Sequence, residues 1–212
     1  MEIYLVRHGR TEWNDMNVLQ GLTDVYLNDE GIRLAKLTAE ALKDVYFDKI
    51  FTSPLSRAYD TAEILENGRG IPILKYLLLE EISFGAWEGK DVDELSKNKN
   101  LMFQHFFTEP QYYLPTRGGE TIWQLRRRAN YFMEHYIEPE AETCSRIMIV
   151  GHGAINQAIM AYVRNIPESN KGFWTGGLQK NCSVIILDYT DGKYTIKEES
   201  KIYYDEEEKQ PD

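Results

Sequence analysis

The chain of 212 residues carries 34 acidic against 24 basic side chains, a formal net charge of −10, and 42% of it is hydrophobic. That composition suits one domain with a sizeable buried core. The charge disfavours a nucleic-acid backbone as partner and leaves room for a small anion held by a few focused arginines.

The first apolar run, Ile3-Tyr4-Leu5-Val6, predicts a strand over 2–6 that ends in Arg7-His8-Gly9. Asn28 before Asp29 and Glu30 is an N-cap signal for a helix over 29–44, with Leu34, Leu37, Ala41 and Val45 at helical spacing. A strand over 48–52 hands over through Ser53-Pro54 to a helix over 55–66 that carries Arg57, and a strand over 71–75 follows. Residues 76–120 are irregular and rich in aromatic side chains, including Phe84, Trp87, Phe103, Phe106 and Tyr113. They read equally well as a small inserted lid region or as a packed subdomain. A helix over 121–137 contains Arg126-Arg127-Arg128, expected to form a solvated face balanced by Glu120 and Glu134.

The strand over 146–150 ends in a second His-Gly, Gly151-His152-Gly153, and precedes a helix over 154–163. A last strand over 183–189 reaches Asp191-Gly192, a hairpin signal. The polar tail 205–212 is expected to be disordered. Alternating strands and helices predict an α/β fold, a mostly parallel central sheet covered on both faces, in one domain over 1–204. Cys144 and Cys182 form neither a metal-ligand spacing nor a disulfide framework, no run reaches membrane-span length, and the apolar start is too short for a secretion signal. A cytoplasmic protein with no membrane partner is expected, and the Asn181-Cys182-Ser183 sequon then carries almost no weight.

The chain has only four histidines, and two of them end apolar runs in the same His-Gly context. One strand-end histidine is more often a packed structural residue than a nucleophile; two in matching context, one of them after an arginine, reverse those odds. In open α/β sheets the reactive groups gather where strands end, so His8, His152, Arg7 and Arg57 are expected to converge on a phosphate site. Guanidinium forks match phosphate oxygens, and a neutral imidazole can attack phosphorus. Glu80-Glu81, flanked by apolar residues, offers a proton for a leaving alkoxide. Two other readings are weaker. Gly151-His152-Gly153-Ala154-Ile155-Asn156 imitates a dinucleotide loop but has Asn156 in place of the third glycine. A zinc site made of His8, His152 and Glu81 is opposed by the positive charge of Arg7 and Arg57.

Taken together, Leu5-Val6-Arg7-His8-Gly9-Arg10-Thr11-Glu12-Trp13-Asn14, Gln20-Gly21 with Asp24, Leu27 and Gly31, Ser53-Pro54-Leu55-Ser56-Arg57-Ala58, Glu81 through Gly89, Gly118-Gly119-Glu120-Thr121 and Val150-Gly151-His152-Gly153 resemble, in order and spacing, the histidine phosphatase superfamily, also called phosphoglycerate mutase-like. The resemblance implies a three-layer α/β/α sandwich, a phosphohistidine intermediate, no cofactor and no metal. Carried over by motif, His8 is the nucleophile, Arg7, Arg57 and His152 hold the transferring phosphoryl group, and Glu81 is the proton donor. Thr11, Asn14, Gln20, Gly21 and Gly153 are assigned to substrate binding. Arg10 departs from the Glu that many relatives carry, which changes the charge expected at the pocket mouth. The segment Gln20 to Leu27 looks like the phosphatase branch, and the arginine pair with which the glycolytic mutases grip a carboxylate has no clear match. The expected activity is a phosphomonoesterase of the histidine acid type acting on a small phosphorylated metabolite, with Arg117 and the aromatic stretch 103–113 shaping the choice. A phosphoglycerate mutase-type phosphotransferase or a non-catalytic phosphate-binding module are the alternatives.

Overall fold

The computed structural model describes residues 1–205; the expectation of a disordered tail falls on residues that lie, all but Asp205, outside this range. Along the chain run β1 (Glu2–Arg7), α1 (Glu12–Asp15), α2 (Asp29–Ala41), β2 (Lys49–Thr52), α3 (Ser56–Glu66), β3 (Ile73–Lys75), α4 (Val92–Lys97), α5 (His105–Thr108), α6 (Ile122–Phe132), β4 (Arg146–Gly151), α7 (Gly153–Val163), β5 (Val184–Thr190) and β6 (Lys193–Lys201). The strands form one sheet in the order β3-β2-β4-β1-β5-β6. β3, β2, β4 and β1 are mutually parallel, and β5 and β6 are added antiparallel at one edge.

Successive side chains of a strand point to opposite faces, and here that alternation sorts the core into two layers. Ile3, Leu5, Phe51, Ile147 and Ile149 pack with Leu125, Ala129 and Phe132 of α6 and Ile155, Ala158 and Ile159 of α7. On the other face Tyr4, Val6, Ile50, Met148 and Val150 meet Ala39 of α2 and Ala58, Ala62 and Leu65 of α3. The result is the three-layer α/β/α sandwich. Asn28 caps α2 as its sequence demands, accepting from Gly31 N at 2.8 Å. α2 stops at Ala41, short of the predicted end, because the chain turns there toward β2. Among the described residues no helix is long and apolar enough to cross a membrane.

Residues 76–120 contribute short helices and tight turns, and Phe84, Trp87, Phe103, Phe106 and Tyr113 from them join the core on the α6–α7 side. Phe103 stacks on Phe106 at 5.5 Å, and Tyr113 meets Phe106 edge-on at 4.9 Å. The arginine triplet is not the expected solvated face. Arg127 alone is exposed, its guanidinium 4.8 Å above the Trp123 ring. Arg126 is buried, donating to the carbonyls of Ile166 and Pro167, and Arg128 reaches inward to the site described below. Both orphan-carbonyl clusters need a donor that carries several N–H groups in a fixed fork, which helical periodicity does not reveal.

The loop after β1 crosses the start of α2 at backbone contact distance. A Cβ on Gly31 would lie 2.6 Å from Arg10 N, and one on Gly9 would lie 2.7 Å from Gly31 O. Gly31→Ala should therefore push the 8–11 loop away and lower stability by about 1–3 kcal/mol in chemical denaturation; an unchanged midpoint would show that the loop is free to yield.

Candidate active site

Parallel pairing of β1 and β4 sets Arg7 opposite Gly151, so the next residue of each strand, His8 and His152, leaves the sheet side by side. Their ring centroids are 5.1 Å apart, and His8 N donates to Gly151 O at 3.0 Å. His8 Nδ1 lies 2.6 Å from the carbonyl of Gly9, which can only accept. Nδ1 therefore carries the proton, and Nε2 keeps the lone pair of the neutral ring. In His152 the tautomer is reversed, because Arg57 Nε donates to Nδ1 at 3.1 Å. This leaves His152 Nε2–H as a buried donor with no partner among the described residues.

Arg57 is fully buried at the first turn of α3. Its Nη1 donates to Thr23 O at 2.9 Å and its Nη2 to Gly21 O at 2.7 Å, so the 20–23 turn clamps the guanidinium. Glu88 holds that turn by accepting from Thr23 N at 2.9 Å and Thr23 Oγ1 at 2.6 Å, while Asp24 accepts from Ser56 N at 2.8 Å and fixes the start of α3. Arg7 donates through Nη1 to Gln179 O, and its buried Nε has no partner among the described residues. Gln179 is itself locked, donating to Leu5 O at 3.0 Å and Ser183 O at 2.8 Å and accepting from Asn156 Nδ2 at 2.9 Å. The Asn156 that spoils the dinucleotide pattern thus braces the Arg7 side of the site.

Glu81 sits at the amino end of α7. Its carboxylate accepts from Ala154 N at 3.0 Å and Ile155 N at 3.1 Å, donors that a helix start leaves unpaired. Arg128 fixes the backbone behind it, donating to the carbonyls of Leu78, Glu80 and Glu81 at 2.8, 2.6 and 3.0 Å while paired with Glu120. Burial raises the Glu80 carboxyl above the ordinary range, yet Glu80 is not in the cleft and Glu81 is. Of the two neighbouring carboxyls, only Glu81 therefore opens onto the cleft.

Arg7, His8, Asn14, Gln20, Gly21, Arg57, Glu81 and Gly153 line one cleft of about 160 Å³, whereas the expected site residue His152 is fully buried and is not part of the lining. A side chain at Gly153 would begin 3.5 Å from Glu81 Oε2 and 2.7 Å from Leu178, so the floor must stay bare. Thr11, expected among the substrate-binding residues, is not in the lining: it is buried and caps α1, its hydroxyl accepting from Asn14 N at 3.2 Å. Arg10 pairs with Asp15 and is also outside the lining, and Arg117 is exposed elsewhere. Sequence reasoning missed Gln179, Arg128, Trp174 and Leu178. Glu88 lay inside a recognised motif but received no role. The stretch that brings Trp174 and Leu178 to the cleft has no periodicity to mark it.

Burial pushes both imidazoles well below the ordinary histidine value, and the neighbouring Arg57 and Arg7 push in the same direction. Arg57 is lowered to about 10, burial again being the largest cause. The site therefore presents neutral imidazoles between two guanidiniums, a set suited to an oxyanion. Among the described residues no group of three or more His, Cys, Asp or Glu is placed to hold a metal ion.

The sequence profile of the histidine phosphatase superfamily, branch 1, matches residues 3–201. Phosphoserine phosphatase 1 of Hydrogenobacter thermophilus is 29% identical over 92% of this chain and 90% of its own length. A 2,3-bisphosphoglycerate-dependent phosphoglycerate mutase of Cytophaga hutchinsonii is 31% identical over 77% of this chain and 78% of its own. Among solved structures, Bacillus stearothermophilus YhfR superposes with a TM-score of 0.84 at 32% identity, covering 95% of this chain and 97% of that one.

A titration of the imidazoles by NMR should find His8 and His152 still neutral near pH 6, where an unperturbed ring of pKa ~6.5 is mostly protonated. Because the unfolded chain takes up those protons first, these two groups should make stability fall as pH drops below ~6.5. Ordinary titration of both rings would contradict the burial argument.

Proposed function

Because the chain belongs to the histidine phosphatase superfamily, branch 1, we propose that its cleft hydrolyses the phosphate monoester of a small metabolite through a phosphohistidine, as a phosphomonoesterase of the histidine acid type. His8 Nε2 attacks phosphorus; the P–O ester bond breaks, its electron pair stays on the alcohol oxygen, and Glu81 supplies the proton that this oxygen needs. Water then attacks the phosphohistidine, gives its proton to the Glu81 carboxylate, and phosphate leaves with His8 restored as the neutral ring. Arg7, Arg57 and the Nε2–H of His152 hold the phosphoryl oxygens while charge builds on them. Asn14, Gln20, Gly21 and Gly153 line the approach. Residues 1–204 act as one domain in which the 76–120 segment supplies a wall of the cleft.

One observation carries the reading: two neutral imidazoles of opposite tautomer sit 5.1 Å apart against a buried guanidinium, one offering a lone pair and the other an unpaired N–H. A binding module for phosphate needs donors but neither a lone-pair nucleophile nor an acid. A mutase must in addition hold the retained monophosphate for return transfer, and among the described residues the cleft lining has no cation beyond Arg7 and Arg57.

His8→Ala should abolish turnover, and quenching the native protein with labelled substrate should leave an acid-labile, base-stable adduct on the peptide that contains His8. A fully active His8→Ala protein would sink the mechanism. Glu81→Gln should slow alkyl phosphates by about 10²–10⁴-fold while p-nitrophenyl phosphate, whose leaving group hardly needs a proton, loses much less. Equal losses for both esters would remove Glu81 from the acid role, and a selective loss in Glu80→Gln would move that role to its neighbour.

A further inference from the structure

We infer that the alcohol released from this cleft is uncharged and carries an aromatic or comparably bulky apolar group, a preference that rests on the phosphatase reading above. The ionisable side chains in the lining are Arg7, His8, Arg57 and Glu81, all gathered at the phosphoryl end, and of these only the two guanidiniums are cations. The guanidinium of Arg57 is clamped by Gly21 O, Thr23 O and His152, and Arg7 is tied to Gln179 O. No lysine and no third arginine lines the cleft among the described residues, so a carboxylate on the leaving group would lose its water without gaining a counter-ion.

The outer wall has the opposite character: Trp13, Phe84, Phe106, Phe107, Trp174 and Leu178 line it. These rings are held in place. Trp174 Nε1 donates to Phe106 O at 2.6 Å, its ring lies 5.3 Å from Phe106 and 5.2 Å from Phe107, and Phe103 stacks behind Phe106. Phe107 remains 39% exposed and Leu178 47%, apolar surface at the mouth that a ligand would cover. Aromatic groups pair edge-on or offset at ring separations of about 4.5–7 Å, the spacing this wall already shows, so an aryl substituent can join it. The neutral polar side chains in the lining are Asn14, Asn17 and Gln20, and the buried Oε1 of Gln20, which has no partner among the described residues, suits a hydroxyl or N–H donor rather than a second anion.

The test compares 2-phenylethyl phosphate with O-phosphoserine and 3-phosphoglycerate. All three leave as primary alkoxides and make similar demands on Glu81, so the distal group is the main difference. The expected kcat/KM ratio favours the phenylethyl ester by about a hundredfold; equal or better turnover of the charged esters would overturn the preference while leaving the phosphatase reading intact. Phe107→Arg, which places a cation on the exposed part of the wall, should narrow the ratio about tenfold by improving the charged esters, and no improvement in a folded variant counts against the wall assignment. Calorimetric binding of 2-phenylethylphosphonate against 3-phosphonopropionate to the unmutated protein reads the same preference without chemistry. Tighter binding of the phenylethyl compound with no turnover of any ester would defeat the phosphatase reading and keep the preference, whereas tighter binding of the carboxylate would overturn it.

Discussion

The parallel pairing of β1 with β4 is the constraint on which the site depends. With Arg7 opposite Gly151, the two strands deliver His8 and His152 to the same sheet edge within ring-contact range. A slip by one residue would invert every side chain of the strand between the two packed faces, so the register is held by Ile3 and Leu5 on one side and Tyr4 and Val6 on the other. The hydrophobic core thereby fixes the distance between two polar groups that lie outside it.

Bringing two imidazoles and two guanidiniums together in a buried place is electrostatically unfavourable unless the charge is limited and the donors are occupied. The rings respond by staying neutral. Two N–H groups of Arg57 point at main-chain carbonyls of a turn that the carboxylate of Glu88 holds, and its Nε donates to His152. The same device recurs at Arg128, whose fork takes up three carbonyls next to Glu81 and pairs with Glu120. In both places a turn without regular structure becomes rigid through a buried arginine, and around the site the buried Arg7 Nε and His152 Nε2 are left without a partner among the described residues.

An acidic protein can therefore attract a phosphate ester, because the positive groups are few and focused at the strand ends. Away from that end the cleft changes to aromatic surface drawn from three separated parts of the chain: Trp13, the 84–107 stretch and Trp174.

Sequence by itself determined the elements whose physics is local. Apolar runs ending in His-Gly marked β1 and β4, Asn28 marked the start of α2, and the order of motifs marked His8, Arg57, Glu81 and His152. Only the tertiary structure decided the rest. Thr11 became a helix cap instead of a cleft residue, Arg126 and Arg128 turned inward from a helix that reads as solvated, and Gln179, Trp174 and Leu178 arrived from a stretch with no pattern. The reason is physical: periodicity reports which face of an element is apolar, whereas the partner of a buried hydrogen-bond donor is set by whichever distant carbonyl the fold leaves unpaired beside it.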